Sequence, residues 1–581
     1  MAVATRPETT QDTHPAVPQL RGFDDFVRRL MREWKVQGIG IAIARDGEII
    51  YSRGFGQRDV ARDLPVTPHT IFPIGSTTKT FTTAALALLA DEGVFDWDTP
   101  LREYLPSFKL HDPFASERMT GRDLTSHRSG LPRHDLMWYG SPDSRQDIFD
   151  RLRYLEPNAD FRTVWQYQNL MYMTAGHLIG ALSGMTWEEF IQKRILEPLG
   201  MLGTRVNSAG VEQAPDFSRG YQKKKNEAVE MPFYEEFEAL APAGSIVSSV
   251  ADMGQWLLVH LNGGKLGDRQ FLSEGQTQLL HTPQTFIARG RHSELPYSSY
   301  GLGWFVEPYR GHDMIHHGGN IDGFSSMFAL MPEDGIGVVV LTNMNGTPVR
   351  DIIPYNIFDR FIDGKQVAWN TRARADVKEM EAAEKRGTTK RRGDRVLRTH
   401  PSHPFEAYAG IYSNPGYGNL RIDLDGKNLR ATYNGIEAPL KHYHYDTFEL
   451  TVERFDMTML GSFATDKRGQ IDSFSLPLEP SVSDIVFKRA PDATMTDPAF
   501  LLPFTGAYDL MGNLIAVELK GDKLSINVPG LPEYELEPIA GTEFGLKGLS
   551  GLSVEFKRDD SGAVTEALVN QMGSVFVAPK R

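Results

Sequence analysis

Gly75-Ser76-Thr77-Thr78-Lys79 opens a run that continues Thr-Phe-Thr-Thr-Ala-Ala-Leu-Ala-Leu-Leu-Ala-Asp-Glu to Gly93. Its spacing predicts a helix with Ser76 and Lys79 one turn apart on the same face, within reach of each other. Phe81, Ala84, Ala85, Leu88 and Leu89 form an apolar face that predicts burial. A serine at a helix start is also an ordinary cap. Two things separate this one from a cap: it is the only serine in the chain with a lysine three residues later, and its helix is too apolar to carry a lysine without a reason. At a helix N-terminus the free N–H groups favour the negative charge that develops during acyl transfer. Burial beside that positive potential lowers the pKa of a lysine, as a base working near neutral pH requires.

The strands around this run decide the fold. Phe23, Phe26, Leu30, Met31 and Trp34 recur at helical spacing. Ile39–Arg45 and Glu48–Arg53 flank Asp46-Gly47, a two-residue hairpin turn. Residues 94 to 240 read as helices and loops, with helical runs at Leu170–Leu182 and Trp187–Leu199. From Gly301 the pattern changes to four short apolar runs, Gly301–Val306, Asp313–His317, Phe324–Met331 and Gly335–Thr342, followed by a helix at Val349–Phe361. These runs and the early hairpin are expected to share one antiparallel sheet, so that residues 20–365 form a single α/β (α+β) catalytic unit with a helical subdomain.

The rest divides by composition. Residues 1–19 read as a polar leader and 366–400 as a linker with a short helix, Asp376–Arg386, before the basic cluster Lys390–Arg395, read as solvated. Beyond it Phe405–Tyr412 resembles Leu502–Tyr508, Gly418-Asn-Leu matches Gly512-Asn-Leu, and Asp425–Leu429 matches Lys520–Leu524. Residues 401–492 and 493–581 are therefore two β repeats, expected as two small barrels of lipocalin-like kind or two halves of one barrel.

Composition excludes several functions. At 581 residues with a net charge of −13, the chain lacks the basic surface that nucleic acid requires. Without cysteine there is no disulfide, thiolate metal site or cysteine nucleophile. The leader lacks a charged n-region and apolar h-region, and no apolar run is long enough to span a bilayer. A cytoplasmic protein with no membrane partner is the expectation, its oligomeric state open.

A Ser-Lys pair needs a group that moves the proton between nucleophile and leaving group, and a donor that orients the acyl compound. Tyr167-x-Asn169 supplies both: a tyrosinate, or a tyrosine hydrogen-bonded to Lys79, and an amide that can hold Lys79. The spacing recurs at Tyr412-x-Asn414 and Tyr417-x-Asn419, read as strand and turn residues of the first repeat. The third element is His316-His317-Gly318-Gly319-Asn320, in which either histidine faces the substrate, Gly319 lets an acyl group approach the backbone, and the N–H groups of Asn320 and Ser76 form an oxyanion hole. No ligand set for a metal accompanies the histidines, so neither metal nor cofactor is expected.

These motifs, in this order, resemble the serine β-lactamase and penicillin-binding-protein superfamily, whose Ser-x-x-Lys signature is well known. More narrowly, 20–365 resembles class C β-lactamases and their peptidase family S12 relatives, supported by Leu124–Pro132, Ala243–Ser249, Tyr300–Trp304 and Gly323-Phe324. The layout with C-terminal barrels is similar to a D-aminopeptidase. The resemblance implies Ser76 as nucleophile, Lys79 as its base, Tyr167 as shared acid/base and Asn169 as orienting amide. The distance to Gly323-Phe324 selects His317 over His316 as substrate-side donor, and Ser76 with Asn320 supplies the oxyanion hole. Where β-lactamases carry the lysine of Lys-Thr-Gly this chain has His317, a poor holder of a carboxylate when neutral, which argues against efficient β-lactam hydrolysis. The implied activity is acyl-enzyme hydrolysis of small peptides or amides, D-residues included. Carboxylesterase and acyltransferase or peptide cyclase are the alternatives on the same site, and a non-catalytic ligand-binding protein is a third.

Overall fold

A computed structural model describes residues 17–581 apart from 225, 234–237 and 453–456, and for 388–392 the backbone alone. Of the polar leader, only residues 17–19 fall within the described residues. The chain forms two compact units. One comprises residues 1–395 with 415–417 and 478–483, the other 396–414, 418–477 and 484–581.

The principal elements of the first unit are α1 (Phe23–Trp34), β1 (Gly38–Arg45), β2 (Glu48–Asp59), β3 (Leu64–Pro65), α2 (Thr78–Asp91), α3 (Leu170–Ser183) and α4 (Val250–Leu261). They continue with β4 (Thr285–His292), β5 (Leu295–Tyr300), β6 (Phe305–Tyr309), β7 (His312–Ile321), β8 (Phe324–Met331), β9 (Ile336–Thr342), α5 (Val349–Ile362) and α6 (Trp369–Gly393). Among the described residues, nine strands make one sheet in the order β4-β5-β6-β7-β8-β9-β1-β2-β3. The expected pairing across the chain is present: β1 lies antiparallel to β9 with Ile39 opposite Thr342 and Ile43 opposite Val338.

Gly38-Ile-Gly-Ile-Ala-Ile-Ala shows why this sheet takes helices on both faces. Ile39, Ile41 and Ile43 share one face and join a core with Phe23, Val27 and Leu30 of α1 and Ile353, Ile357 and Phe358 of α5. Each fully buried isoleucine contributes about 1.5–3 kcal/mol. The alternate positions are small, and α4 uses the space. A β carbon on Gly40 would lie 3.0 Å from Val250, and one on Gly337 only 2.6 Å from Leu257. The smallness of one face brings α4 down onto the sheet.

Helix α2 sits within the layer on that side, buried from Thr78 to Leu89. Its polar residues are all satisfied, as such burial demands. Trp256 Nε1 donates to Thr80 and Trp187 Nε1 to Thr82, each at 3.1 Å, and Phe81 stacks on Trp256 at 4.3 Å.

One expectation changes. The short helix Asp376–Arg386 is instead the longer α6, Trp369–Gly393. Good helix formers fill its middle, but tertiary contacts set its start. Trp369 Nε1 donates to the Tyr309 hydroxyl at 2.9 Å, its ring lies 4.7 Å from that of Tyr355, and Arg372 pairs with Glu294.

The second unit holds both β repeats. The first is a closed barrel of eight antiparallel strands running from β10 (Gly410–Asn414) to β17 (Ile485–Arg489), closed where Tyr412 pairs with Arg489. Its interior is filled by rings, with Phe463 stacked on Phe474 at 4.1 Å beside Tyr412 and Tyr408. The second is an eight-stranded sheet from β18 (Gly506–Leu510) to β25 (Ser574–Pro579), whose ends meet at a bridge between Tyr508 and Lys580. The repeat is visible at one atom: Tyr412 donates its hydroxyl to Tyr408 O at 2.8 Å, and Tyr508 donates to Phe504 O at 2.7 Å.

Behind α2 lie two buried histidines, with His260 Nδ1 at 3.1 Å from His281 Nε2. Burial lowers both pKa values, His281 to about 3, and the neighbouring His281 lowers that of His260 further. Below pH 6.5 the unfolded chain therefore takes protons that the folded chain refuses. Stability is lost as pH falls from 6.5 toward 3, at about 1.4 kcal/mol per pH unit per histidine. Urea melts of the wild type and of the His260→Gln/His281→Gln variant, from pH 7 to pH 4.5, are expected to show the shallower slope in the variant.

Candidate active site

Gly75 has a left-handed φ of +52°, and a β carbon there would lie 3.1 Å from both N and O of Asn320. Only glycine lets the turn press against β7 this closely. The next residues form a single 3-10 turn, Gly75–Thr77, that leads into α2, so Ser76 stands just before the α-helix. The turn is bolted to the sheet. Ser326 Oγ donates to Ile74 O at 2.7 Å and lies 3.0 Å from Thr77 Oγ1.

Lys79 is fully buried, with Nζ 3.2 Å from Ser76 Oγ, 2.8 Å from Asn169 Oδ1 and 2.8 Å from the carbonyl of Ala243. Burial holds its pKa well below the ordinary lysine range, and the charge of Arg133 lowers it further against the opposing effect of Asp135. A neutral amine fits its surroundings. Asn169 Oδ1 and Ala243 O only accept, so they take its two hydrogens and its lone pair is left for the Ser76 hydroxyl.

Asn169 immediately precedes α3, and its Nδ2 donates to Asp135 Oδ1 at 3.0 Å. Gln168 anchors that bend: its side chain donates to Pro132 O and accepts from the Leu170 N–H, each at 2.7 Å, while its N–H donates to His127 Nδ1 at 3.1 Å. Tyr167 thus projects back over Ser76. Burial raises its pKa strongly and a hydrogen bond with Ser76 opposes the rise, so the phenol is neutral at neutral pH. Lys79 meets the face of the Tyr167 ring, 4.8 Å from its centroid.

Alternation along β7 sends the two histidines to opposite sides. His316 stacks on Phe305 and reaches Glu307 at 3.1 Å. His317 is buried beside the cluster of Ser76, Lys79 and Tyr167, its ring centroid 6.3 Å from that of Tyr167. Burial, then the proximity of Lys79, keeps its pKa well below the histidine range. A neutral ring has one hydrogen. Nδ1 lies 2.8 Å from Gly318 O, which can only accept, so Nε2 accepts from the Tyr300 hydroxyl at 2.9 Å. Both nitrogens are thereby engaged within the protein, and a donor role toward substrate would require breaking one of these bonds.

The structure therefore gathers Ser76, Lys79, Tyr167, Asn169, His317, Gly319 and Asn320 from three distant stretches. Several neighbours carry no role in the sequence reading, although His127 and Ala243 lie in stretches that carry the resemblance. Ala243 acts through its backbone. His127, with a left-handed φ of +58°, lies under Tyr167 with ring centroids 4.4 Å apart. Asp135 takes Asn169, Trp138 Nε1 and Arg133. Buried His134 donates its N–H to Glu479 at 2.8 Å; its Nε2 donates to Glu156 O at 3.0 Å, and its Nδ1 accepts from Tyr417 at 2.6 Å. Tyr417 is a turn residue, as read from sequence, and groups with the first compact unit. Among the described residues no cluster of histidine and acidic side chains could hold a metal, and no helix is long and apolar enough to cross a membrane.

Comparison with known proteins gives this geometry its family. The family model for β-lactamases matches residues 23–360. The chain belongs to the β-lactamase family. A second model, described as a domain of unknown function (DUF3471), matches 394–489. Within the β-lactamase family this chain is 31% identical to the unguisins hydrolase ungD of Aspergillus violaceofuscus, covering 74% of this chain and 82% of the relative. It is 28% identical to the corresponding hydrolase of Aspergillus campestris, over 82% and 92%. The protein flp of Staphylococcus aureus is 24% identical over 57% of this chain and 64% of its own length. Among solved structures, an octameric penicillin-binding protein homologue from Pyrococcus abyssi superposes with a TM-score of 0.52 at 23% identity, covering 81% of this chain and all of that one, a likeness of fold. This β-lactamase-family chain is a serine hydrolase.

Proposed function

We propose that the chain hydrolyses small peptides or amides, D-amino-acid-containing ones included, through an acyl-enzyme on Ser76. The observation that carries this reading is Lys79 Nζ held by two acceptor-only carbonyl oxygens with Ser76 Oγ at 3.2 Å. Neutral Lys79 takes the Ser76 proton as Oγ attacks the carbonyl. The N–H groups of Ser76 and Asn320, on backbones that touch at Gly75, receive the oxyanion, with Gly319 leaving room beside them. Tyr167, a neutral phenol bonded to Ser76, relays the proton to the leaving amine and later takes one from water. His317, neutral and tied to Tyr300, contributes shape and a hydrogen-bonded wall without a cation. That suits substrates that do not rely on a lysine at the third motif, and the hydrolase names of two relatives agree with hydrolysis.

A panel of D- and L-amino-acid anilides beside short-chain esters tests the reading. Turnover of D-anilides lost in Ser76→Ala is the expected result. Ester turnover alone would make the chain a carboxylesterase, and new amides formed with added amine would make it a transferase. Tyr167→Phe is expected to lower kcat by about 10²–10³-fold, because the proton relay is lost while the ring and its packing stay. Pre-steady-state kinetics should show acylation and deacylation slowed together.

A further inference from the structure

The third motif carries buried, neutral His317 where a lysine would supply charge. Arg350, behind β7, uses Nη1 on the carbonyls of Gly319 at 2.6 Å and Ser326 at 3.5 Å, and its Nε on Asp351. Arg133 is different. Its side chain is half exposed, and its guanidinium lies 5.1 Å from the centroid of the Tyr167 ring. Only Nε is engaged, by Asp135 Oδ2 at 2.6 Å; among the described residues the two Nη groups have no partner. The Asp135 carboxylate is itself occupied, by Arg133 on one oxygen and by Asn169 and Trp138 on the other. The loop is also held in place, since Pro132 O accepts from Gln168 and buried His134 spends its N–H and both ring nitrogens on partners. The guanidinium thus lies over the ring of Tyr167 with both Nη groups unengaged among the described residues.

Distance sets what it can read. Lys79 Nζ and the Arg133 guanidinium are 4.8 and 5.1 Å from the same ring centroid, so they are at most about 10 Å apart. Arg133 lowers the pKa values of Lys79, His127 and Tyr167, as a charge this near must. Two extended residues span roughly 7 Å. We infer that Arg133 is a specificity residue that binds a carboxylate on the substrate, one or two residues from the scissile carbonyl, so that the favoured peptides or amides are acidic. The two Nη groups match a carboxylate bidentately, whereas a lysine would offer a point charge. This inference rests on the serine-hydrolase reading of Ser76.

The test uses two phosphonate diesters that differ only in a carboxylate or its methyl amide one residue from phosphorus. The rate of Ser76 modification is followed by intact-protein mass in the full chain. In the wild type the carboxylate probe is expected to react about 10–100-fold faster, the discrimination of a charge-assisted hydrogen-bond pair. Arg133→Gln should bring the ratio of the two rates to near one, Arg133→Lys should keep part of it, and added salt should shrink it. A ratio near one in the wild type, a ratio that survives Arg133→Gln, or a ratio removed by Arg350→Gln and not by Arg133→Gln would each overturn the inference while leaving the hydrolase reading intact. No modification of Ser76 by either probe would overturn both.

Discussion

Ser76→Ala and Lys79→Met are each expected to reduce kcat/KM by roughly 10⁴–10⁶-fold, with no additional loss when they are combined, because in the proposed mechanism nucleophile and base act as one unit. The methionine matters. Lys79 is buried, so its replacement must fill the volume without a charge, and Met leaves Asn169 Oδ1 and Ala243 O as the groups that lose a donor. A melting temperature near that of the wild type would separate lost chemistry from lost structure. The pH profile gives the sign. Lys79 works as a base only when unprotonated, and its pKa lies well below the ordinary lysine value because burial penalises the cation. Activity should therefore rise with pH through that lowered pKa and be high at neutral pH. Arg133→Gln removes a charge that opposes protonation, so this rising limb should move to higher pH. A limb that stayed in place would mean that Lys79 is not the group titrating.

Much of this site could be read from residue types alone because its chemistry is local or periodic. Ser76 and Lys79 are one helical turn apart, and β1 and β9 show the apolar runs of strands buried on both faces. The paired hydroxyl bonds of Tyr412 and Tyr508 follow from a repeat that is plain in the sequence. What stayed hidden depends on tertiary placement. The carbonyl of Ala243 has no side-chain signature, and any residue could have supplied it. Asp135 and His127 are ordinary loop residues until Asn169 and Gln168 come to rest on them. Tyr417 shares its Tyr-x-Asn spacing with Tyr167, so spacing could not say which of them sits beside the buried lysine. Helix α6 starts at Trp369 because Tyr309 and Tyr355 hold that ring, which no local propensity encodes. His317 was legible as a position and not as a state: its burial and its bond to Tyr300 remove the charge that would otherwise suggest an anion site.

The two glycines after His317 should respond differently to the same added methyl group. A β carbon on Gly319 would lie 2.0 Å from Ile74 O and 2.6 Å from Ser326 Oγ. Neither can yield, because Ile74 O is the acceptor for Ser326 and Ile74 N–H is itself bonded to Ile246 O. Gly319→Ala must therefore push β7 away from the turn that carries Ser76, and Asn320, the next residue, moves with it. Loss of alignment at one oxyanion donor costs about 10²–10³-fold in kcat, and the overpacking costs about 1–3 kcal/mol of stability. On Gly318 the same carbon would meet the ends of two flexible side chains, Arg350 and Met327, each at 3.2 Å, which can turn aside. Gly318→Ala is expected to keep most of its activity and stability. Burst kinetics and urea melts of both variants measure the contrast. Equal losses would mean that the strand tolerates no added volume anywhere, and that the contact between Gly319 and Ile74 has no special part in placing the Asn320 N–H beside Ser76.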